Sequence, residues 1–81
     1  MNMNENMTLV ESLDSLRKIS CSMEIVMRDM IEDTYKMERD YIEIEEWEVE
    51  LERLMGRGVV DGWKEINRVI DALEKLKKYD A

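Results

Sequence analysis

The chain has 81 residues and a net charge of −8, and 40% of its residues are charged. This length allows one small domain, whose own core supplies only about 3–5 kcal/mol of stability. The negative charge opposes direct binding to nucleic-acid phosphates and to anionic membrane surfaces. No apolar run approaches the ~18 residues that a membrane-spanning helix needs. Proteins with basic surfaces are therefore the electrostatically favoured partners.

The N-terminus divides into a polar tail and a helix start. Residues 1–7 (MNMNENM) are expected to form a disordered tail, and residues 8–81 a single helical domain. The run from Thr8 to Glu11 has the form of a capping box, in which the Thr8 hydroxyl accepts from the Glu11 amide and the Glu11 carboxylate reaches back. The first helix is therefore predicted to start at Thr8.

A seven-residue apolar repeat dominates the next part of the chain. Between Thr8 and Met55 there is no glycine and no proline, and apolar residues recur at alternating steps of three and four. This is the coiled-coil period. It predicts an all-α fold with one long amphipathic helix over about residues 8–55. The N-terminal part of its apolar seam is the predicted self-association surface: Leu9, Leu13, Leu16, Met23, Met27 and Met30.

Two segments weaken this helix. The side chains of Ser20 and Ser22 compete for backbone hydrogen bonds, and Asp33-Thr34 has the same tendency. A break near residues 20–22 or 33–34 would give a three-helix bundle within one chain. Continuity is favoured because the phase of the repeat survives both segments.

The glycines mark the end of the long helix. Gly56 and Gly58 are predicted to form a turn, and Asp61 to cap a shorter helix over about residues 62–79. The short turn predicts an antiparallel helical hairpin that brings residues 75–78 near residues 38–43. Because the shorter helix covers only about residues 36–55, the N-terminal seam stays bare, and a homodimer is expected to cover it.

Acidic residues are concentrated in one segment. Residues 38–52 contain eight acids and one base, Arg39. On a continuous helix these acids form two ridges between apolar stripes. Charge runs of this kind are usually solvated or partner-facing surfaces. The predicted partner-binding residues are Glu38, Glu43, Glu45, Glu46, Glu50 and Glu52.

The sequence offers no catalytic machinery. There is no histidine to activate Cys21 or a serine as a nucleophile. Glutamates at helical spacing leave a carboxylate–metal helical enzyme as a remote alternative, but no metal and no other cofactor are expected. The single cysteine cannot form an internal disulfide, and the sequence lacks a secretory pattern. A cytoplasmic location is therefore expected, in the host cell if the protein is viral.

These observations predict a small acidic, non-enzymatic interaction module. It would act as a regulator or inhibitor that docks a basic surface of a larger protein. By analogy, small acidic helical proteins of this kind recur among regulators and among inhibitors encoded by viruses or mobile elements. If the basic surface normally binds nucleic acid, the carboxylate ridges would act as a nucleic-acid mimic. The alternative is a structural subunit or scaffold whose main partner is another copy of itself.

Overall fold

A computed structural model describes residues 8–80, and over this range the chain is all-α, without strands. The predicted all-α class is confirmed. The tail predicted over residues 1–7 lies outside the described range. The elements in chain order are helix α1 (Leu9–Tyr35), two 3₁₀ turns (Arg39–Tyr41 and Ile44–Trp47), helix α2 (Glu48–Met55) and helix α3 (Arg57–Asp80).

Helix α1 begins as the capping box predicts. The Glu11 amide donates to Thr8 Oγ1 at 3.0 Å, and the Thr8 amide donates to Glu11 Oε1 at 2.9 Å. Two hydrogen bonds lower the pKa of Glu11: the larger effect comes from the Thr8 backbone amide and the smaller one from the Thr8 side chain. The sequence pattern and the reciprocal hydrogen bonds agree on this boundary.

The predicted continuous helix over residues 8–55 is wrong, because α1 ends at Tyr35. Lys36 adopts the left-handed conformation (φ 59°, ψ 37°), and its amide donates to the Glu32 carbonyl at 2.8 Å. This is an αL helix cap without the usual glycine. The break lies close to the weak segment at residues 33–34. The other weak segment, residues 20–22, remains helical.

The cap at Lys36 gives a direct prediction. A residue with a Cβ atom in the left-handed region costs about 1–2 kcal/mol, and glycine avoids this cost. Glycine offsets part of the gain, because its unfolded state has more conformational freedom. Lys36→Gly is therefore expected to stabilise the fold by about 0.5–1 kcal/mol in urea unfolding. Lys36→Ala is the control, since it removes the charge and keeps the Cβ. Equal stability of the two variants would contradict the left-handed cap.

The junction between α2 and α3 is shorter than predicted. Gly56 alone separates the two helices, with φ 97° and ψ 147°, and its amide donates to the Glu52 carbonyl at 2.9 Å. Helix α3 begins at Arg57, so the predicted start near residue 62 is wrong and Asp61 is an interior helical residue. In this helical conformation the segment from 57 to 61 places Val60 in the core, where its side chain is fully buried.

Helix α3 runs antiparallel to α1 along the N-terminal seam. Residues with lower numbers on α1 contact residues with higher numbers on α3. The predicted register, with residues 75–78 near residues 38–43, is therefore wrong. The contacts that establish the register are Glu24 Oε2 with Trp63 Nε1 at 3.2 Å, Ser20 Oγ with Asn67 Oδ1 at 2.7 Å, and the Arg17–Glu74 ion pair.

The core forms where α1, α2 and α3 meet the stretch that contains the two 3₁₀ turns, residues 39–47, which we call the 3₁₀ segment. Along the predicted self-association seam, Leu13 and Met27 are fully buried, while Leu9, Leu16, Met23 and Met30 are half-buried. Helix α3 of the same chain thus packs along the seam that was predicted to pair with a second copy. The main buried cluster consists of Met27, Ile31, Ile42, Ile44, Leu51, Val60 and Trp63.

Candidate partner-binding surfaces

The acidic region is built on a short extended segment. Ile42 and Glu43 have extended backbone angles (φ −96°, ψ 111° and φ −96°, ψ 108°). In extended chain, successive side chains point to opposite sides. Ile42 and Ile44 are therefore buried, at 2% and 1% exposure, while Glu43 between them is exposed. The two isoleucines fix this segment to the core and direct the carboxylate outward.

Contacts with α1 hold the segment in place. Arg28 Nε donates to the Ile42 carbonyl at 3.3 Å. Arg39 pairs with Asp29 and Glu32 of α1. At the far end of the segment, the rings of Tyr35 and Trp47 pack with their centroids 5.0 Å apart, a distance typical of favourable aromatic pairs. The segment is thus anchored at several points, and the exposed side chains project from a fixed backbone.

The structure separates the predicted partner-binding acids into two groups. Glu38, Glu43, Glu45 and Glu46 are exposed, whereas Glu50 and Glu52 are half-buried on α2. The two predicted ridges do not form, because they require a continuous α-helix through residues 36–47. Glu43 and Glu46 nevertheless remain close, since the Glu46 amide donates to the Glu43 carbonyl at 3.0 Å.

Five acids of this region retain uncompensated charge. We call Glu38, Asp40, Glu43, Glu45 and Glu46 the acidic segment; all five are exposed. Within residues 8–80, none of them forms an ion pair. The charge of the acidic segment is therefore available to a partner.

The acids of α2 are engaged within the chain. Lys64 Nζ lies 3.0 Å from Glu48 Oε1, and Arg53 Nη2 lies 2.6 Å from Glu50 Oε2. The hydrogen bond and charge of Glu48 raise the pKa of Lys64, and those of Glu50 raise the pKa of Arg53. Glu48 and Glu50 thus have intrachain partners that the acidic segment lacks. Of the predicted residues, Glu50 contributes least to an open acidic surface.

Two large apolar side chains accompany the acids at the surface. Tyr41 is 73% exposed and follows Asp40 directly, and Val49 is 78% exposed at the start of α2. A continuous helix over residues 8–55 would place Tyr41 on the apolar seam, so its exposure follows from the break after α1. Exposed aromatic residues at interfaces are frequent energetic anchors. Tyr41 therefore adds an apolar contact to an otherwise electrostatic surface.

A second surface lies on α1 and α3, away from the acidic segment. An apolar pocket of about 210 Å³ opens there. Methionines at such positions adapt readily to different shapes. The pocket is lined by Ser22, Met23, Val26, Met55 and Val59.

The described residues were also compared with the requirements of a metal site and of a membrane-spanning helix. Among residues 8–80, no three acidic or cysteine side chains come together in a way that would hold a metal ion. No helix in this same range combines the length and apolar character needed to cross a bilayer. Cys21 is an exposed free thiol.

No protein-family model, curated protein or solved structure matches this chain.

Proposed function

We propose that this protein is a non-enzymatic interaction module whose acidic segment binds a basic surface of another protein. One observation carries the proposal: five exposed carboxylates in nine residues pair with no base among residues 8–80, although ion pairs are common elsewhere in this range. A partner rich in lysine or arginine supplies the missing charges. Such binding suits a regulator or inhibitor acting in the cytoplasm.

The backbone of the acidic segment favours binding without a large ordering cost. Because Ile42 and Ile44 are buried, the backbone of the intervening Glu43 is already ordered when a partner arrives. Preorganisation of this kind reduces the entropy lost on association. The ring of Tyr41 offers a basic side chain a cation–π contact in addition to the carboxylates.

The test is a charge reversal in the acidic segment. Glu43→Lys, Glu45→Lys and Glu46→Lys together replace three attractive contacts with three repulsive ones. At about 0.5–1 kcal/mol per exposed pair, binding is expected to weaken at least about tenfold. The probe is a fluorescent lysine- and arginine-rich peptide, titrated against the full chain and followed by anisotropy.

A matched variant controls for net charge. Asp33→Lys, Asp61→Lys and Asp71→Lys together change the charge by the same amount at three other exposed positions. This variant is expected to bind the peptide more tightly than the acidic-segment variant does. Equal weakening by both sets would mean that only the net charge matters, and it would reject the acidic segment as a binding surface.

The nucleic-acid-mimic form of this role makes a further prediction. If the partner's basic surface normally binds DNA, the chain competes with DNA for it. Competition of this kind weakens steeply with salt, because both ligands engage the same cationic groups. Simultaneous binding of the chain and DNA to such a partner would exclude mimicry.

A further inference from the structure

One flank of α1 has no charged side chains over most of the helix. At about 100° per residue, positions 12, 16, 19, 23, 26 and 30 fall on the same side, next to the face that packs on α3. The opposite flank carries Asp14, Arg17, Lys18 and Arg28. Among the uncharged flank, Ile19 is 47% exposed and Val26 is 50% exposed. The uncharged flank consists of Ser12, Ser15, Leu16, Ile19, Ser22, Met23, Val26 and Met30.

Helix α3 has a matching flank. Its members recur at steps of three and four, next to the residues that contact α1. Val59 is 37% exposed and Leu76 is 55% exposed at the two ends, and the intervening apolar side chains are half-buried. The flank consists of Val59, Gly62, Ile66, Val69, Leu73 and Leu76.

The two flanks form one continuous surface, which we call the open apolar face. The pocket described above joins them, because Met23 and Val26 of α1 line it together with Val59 of α3. In an antiparallel pair, flanks that meet at one point lie on the same side along the whole contact. The Ser20–Asn67 hydrogen bond keeps this register in the middle of the pair.

The rest of the chain packs elsewhere. The 3₁₀ segment and α2 are attached through side chains that lie outside the open apolar face: Arg28 donates to the Ile42 carbonyl, Arg53 to Tyr35, and Lys64 to Glu48. Helix α2 contributes only Met55 to the pocket at the edge of the face. Within residues 8–80, nothing covers the remainder of this face.

We propose that a second copy of this chain covers the open apolar face. In this antiparallel two-fold dimer, helices α1 and α3 of one copy stack on α1 and α3 of the other. Residues 12–30 of α1 span about 27 Å at 1.5 Å per residue. Two helices about 10 Å apart give a width of about 20 Å. Each copy thus contributes roughly 500 Å², or about 1,000 Å² in total, which is the lower limit for a specific interface.

Charge determines the direction of the pairing. The acidic segment lies at the end of the molecule where α3 begins, since Lys64 contacts Glu48 there. The opposite end carries Lys75, Lys77 and Lys78, because Glu74 contacts Arg17 near the start of α1. A parallel stack would place two acidic ends together, whereas an antiparallel stack places each acidic end beside the end that carries these three exposed lysines. The uncharged α1 flank lets two chains of net charge −8 approach at their centre.

A pair of matched substitutions tests the interface. Ile19 and Ile25 are both isoleucines of α1 with 47% exposure, but Ile25 lies on the charged flank. Sedimentation equilibrium of the full chain over a concentration series is expected to show a reversible monomer–dimer equilibrium. Ile19→Glu is expected to raise the dimer dissociation constant at least about tenfold, because it buries a carboxylate without a partner. Ile25→Glu is expected to leave it unchanged, and far-UV circular dichroism verifies that both variants are folded.

A second pair tests the orientation. Lys77→Glu and Lys18→Glu make the same change in net charge, but Lys77 lies beside the open apolar face and Lys18 on the charged flank. In an antiparallel dimer Lys77→Glu raises the dissociation constant more than Lys18→Glu does. Equal effects would overturn the antiparallel arrangement. A monomer at all concentrations, or equal effects of Ile19→Glu and Ile25→Glu, would overturn the interface and leave the face for a different protein.

These outcomes can be distinguished from a failure of the proposed function. The acidic segment and the open apolar face share no residue. Reversal of Glu43, Glu45 and Glu46 is expected to weaken peptide binding at least about tenfold and to affect the dimer only through the charges at its ends, whereas Ile19→Glu is expected to disrupt the dimer and to leave peptide binding intact. Failure of one proposal therefore leaves the other intact.

Discussion

Replacement of Trp63 by alanine is expected to destabilise the fold by about 3–5 kcal/mol, the usual cost of removing a large buried aromatic side chain. Trp63 is only 3% exposed and belongs to the main buried cluster. A domain of this size has roughly 4–12 kcal/mol of total stability at about 0.05–0.15 kcal/mol per residue. The substitution therefore removes a large share of the stability and leaves a marginal fold.

The position of Trp63 explains the size of this effect. The ring lies where α3 meets both α1 and the residues buried from α2, so its loss opens a cavity shared by three elements. Its indole Nε1 also donates to Glu24 Oε2 at 3.2 Å, and this oxygen loses its donor, while Glu24 Oε1 keeps its contact with Arg28. Both losses act in the same direction.

Urea unfolding followed by far-UV circular dichroism measures the change. Trp63→Phe is the control, because it retains an aromatic ring and removes only the indole N–H and part of the volume. Its loss of stability is expected to be clearly smaller than that of Trp63→Ala. An alanine variant within about 1 kcal/mol of the natural chain would show that Trp63 is not in the core.

Gly56→Ala is expected to have the second largest effect, a loss of about 1–3 kcal/mol. Gly56 has φ 97° and ψ 147°, close to a backbone region that is essentially restricted to glycine. A Cβ added there meets no atom within 4 Å. The expected cost is therefore purely conformational, since no steric contact contributes to it.

Gly58→Ala is the matched control two residues later. A Cβ at Gly58 also meets nothing within 4 Å, but this residue lies inside helix α3. Alanine there is expected to stabilise the fold by up to about 1 kcal/mol, because glycine is a poor helix former. Opposite signs for the two substitutions in urea unfolding confirm the α2–α3 junction. Equal signs would contradict it and would favour the longer turn over residues 56–61.

The sequence contains clear signals for some boundaries and none for others. The capping box at Thr8 and Glu11 is a local pattern, and it predicts the start of α1 correctly. The end of α1 lacks such a pattern, because Lys36 occupies the left-handed position where glycine is usual. Asp33-Thr34 marks the nearest weakness, but tertiary packing of the residues that follow decides where the helix ends.

The segment after α1 carried a readable signal that the seven-residue repeat obscured. Ile42, Glu43, Ile44 and Glu45 alternate between apolar and acidic residues, which is the period of extended chain. A helical reading places these residues around a cylinder and generates the acidic ridges. The alternation instead predicts buried isoleucines with a carboxylate between them, as the structure has.

The register of α3 depends on long-range contacts. The sequence predicts a helix near residues 62–79, but its partner on α1 is determined by burial of Val60 and Trp63 and by the Ser20–Asn67 hydrogen bond. Polar pairs of this kind fix register in helical bundles. Ser20 was predicted only as a weak helical position. Its partner lies 47 residues away in the sequence, beyond the reach of local patterns.

The measurement that tests the fold most directly is a disulfide between α1 and α3. In a Cys21→Ser background, Ser20→Cys and Asn67→Cys place two thiols where the native side chains touch at 2.7 Å. The antiparallel α1–α3 pair predicts an intrachain disulfide after mild oxidation, identified by peptide mass mapping of the monomer. A long helix with a short hairpin would place residue 67 near residue 50, about 45 Å from residue 20. Absence of the intrachain disulfide would therefore contradict the fold and, with it, the open apolar face.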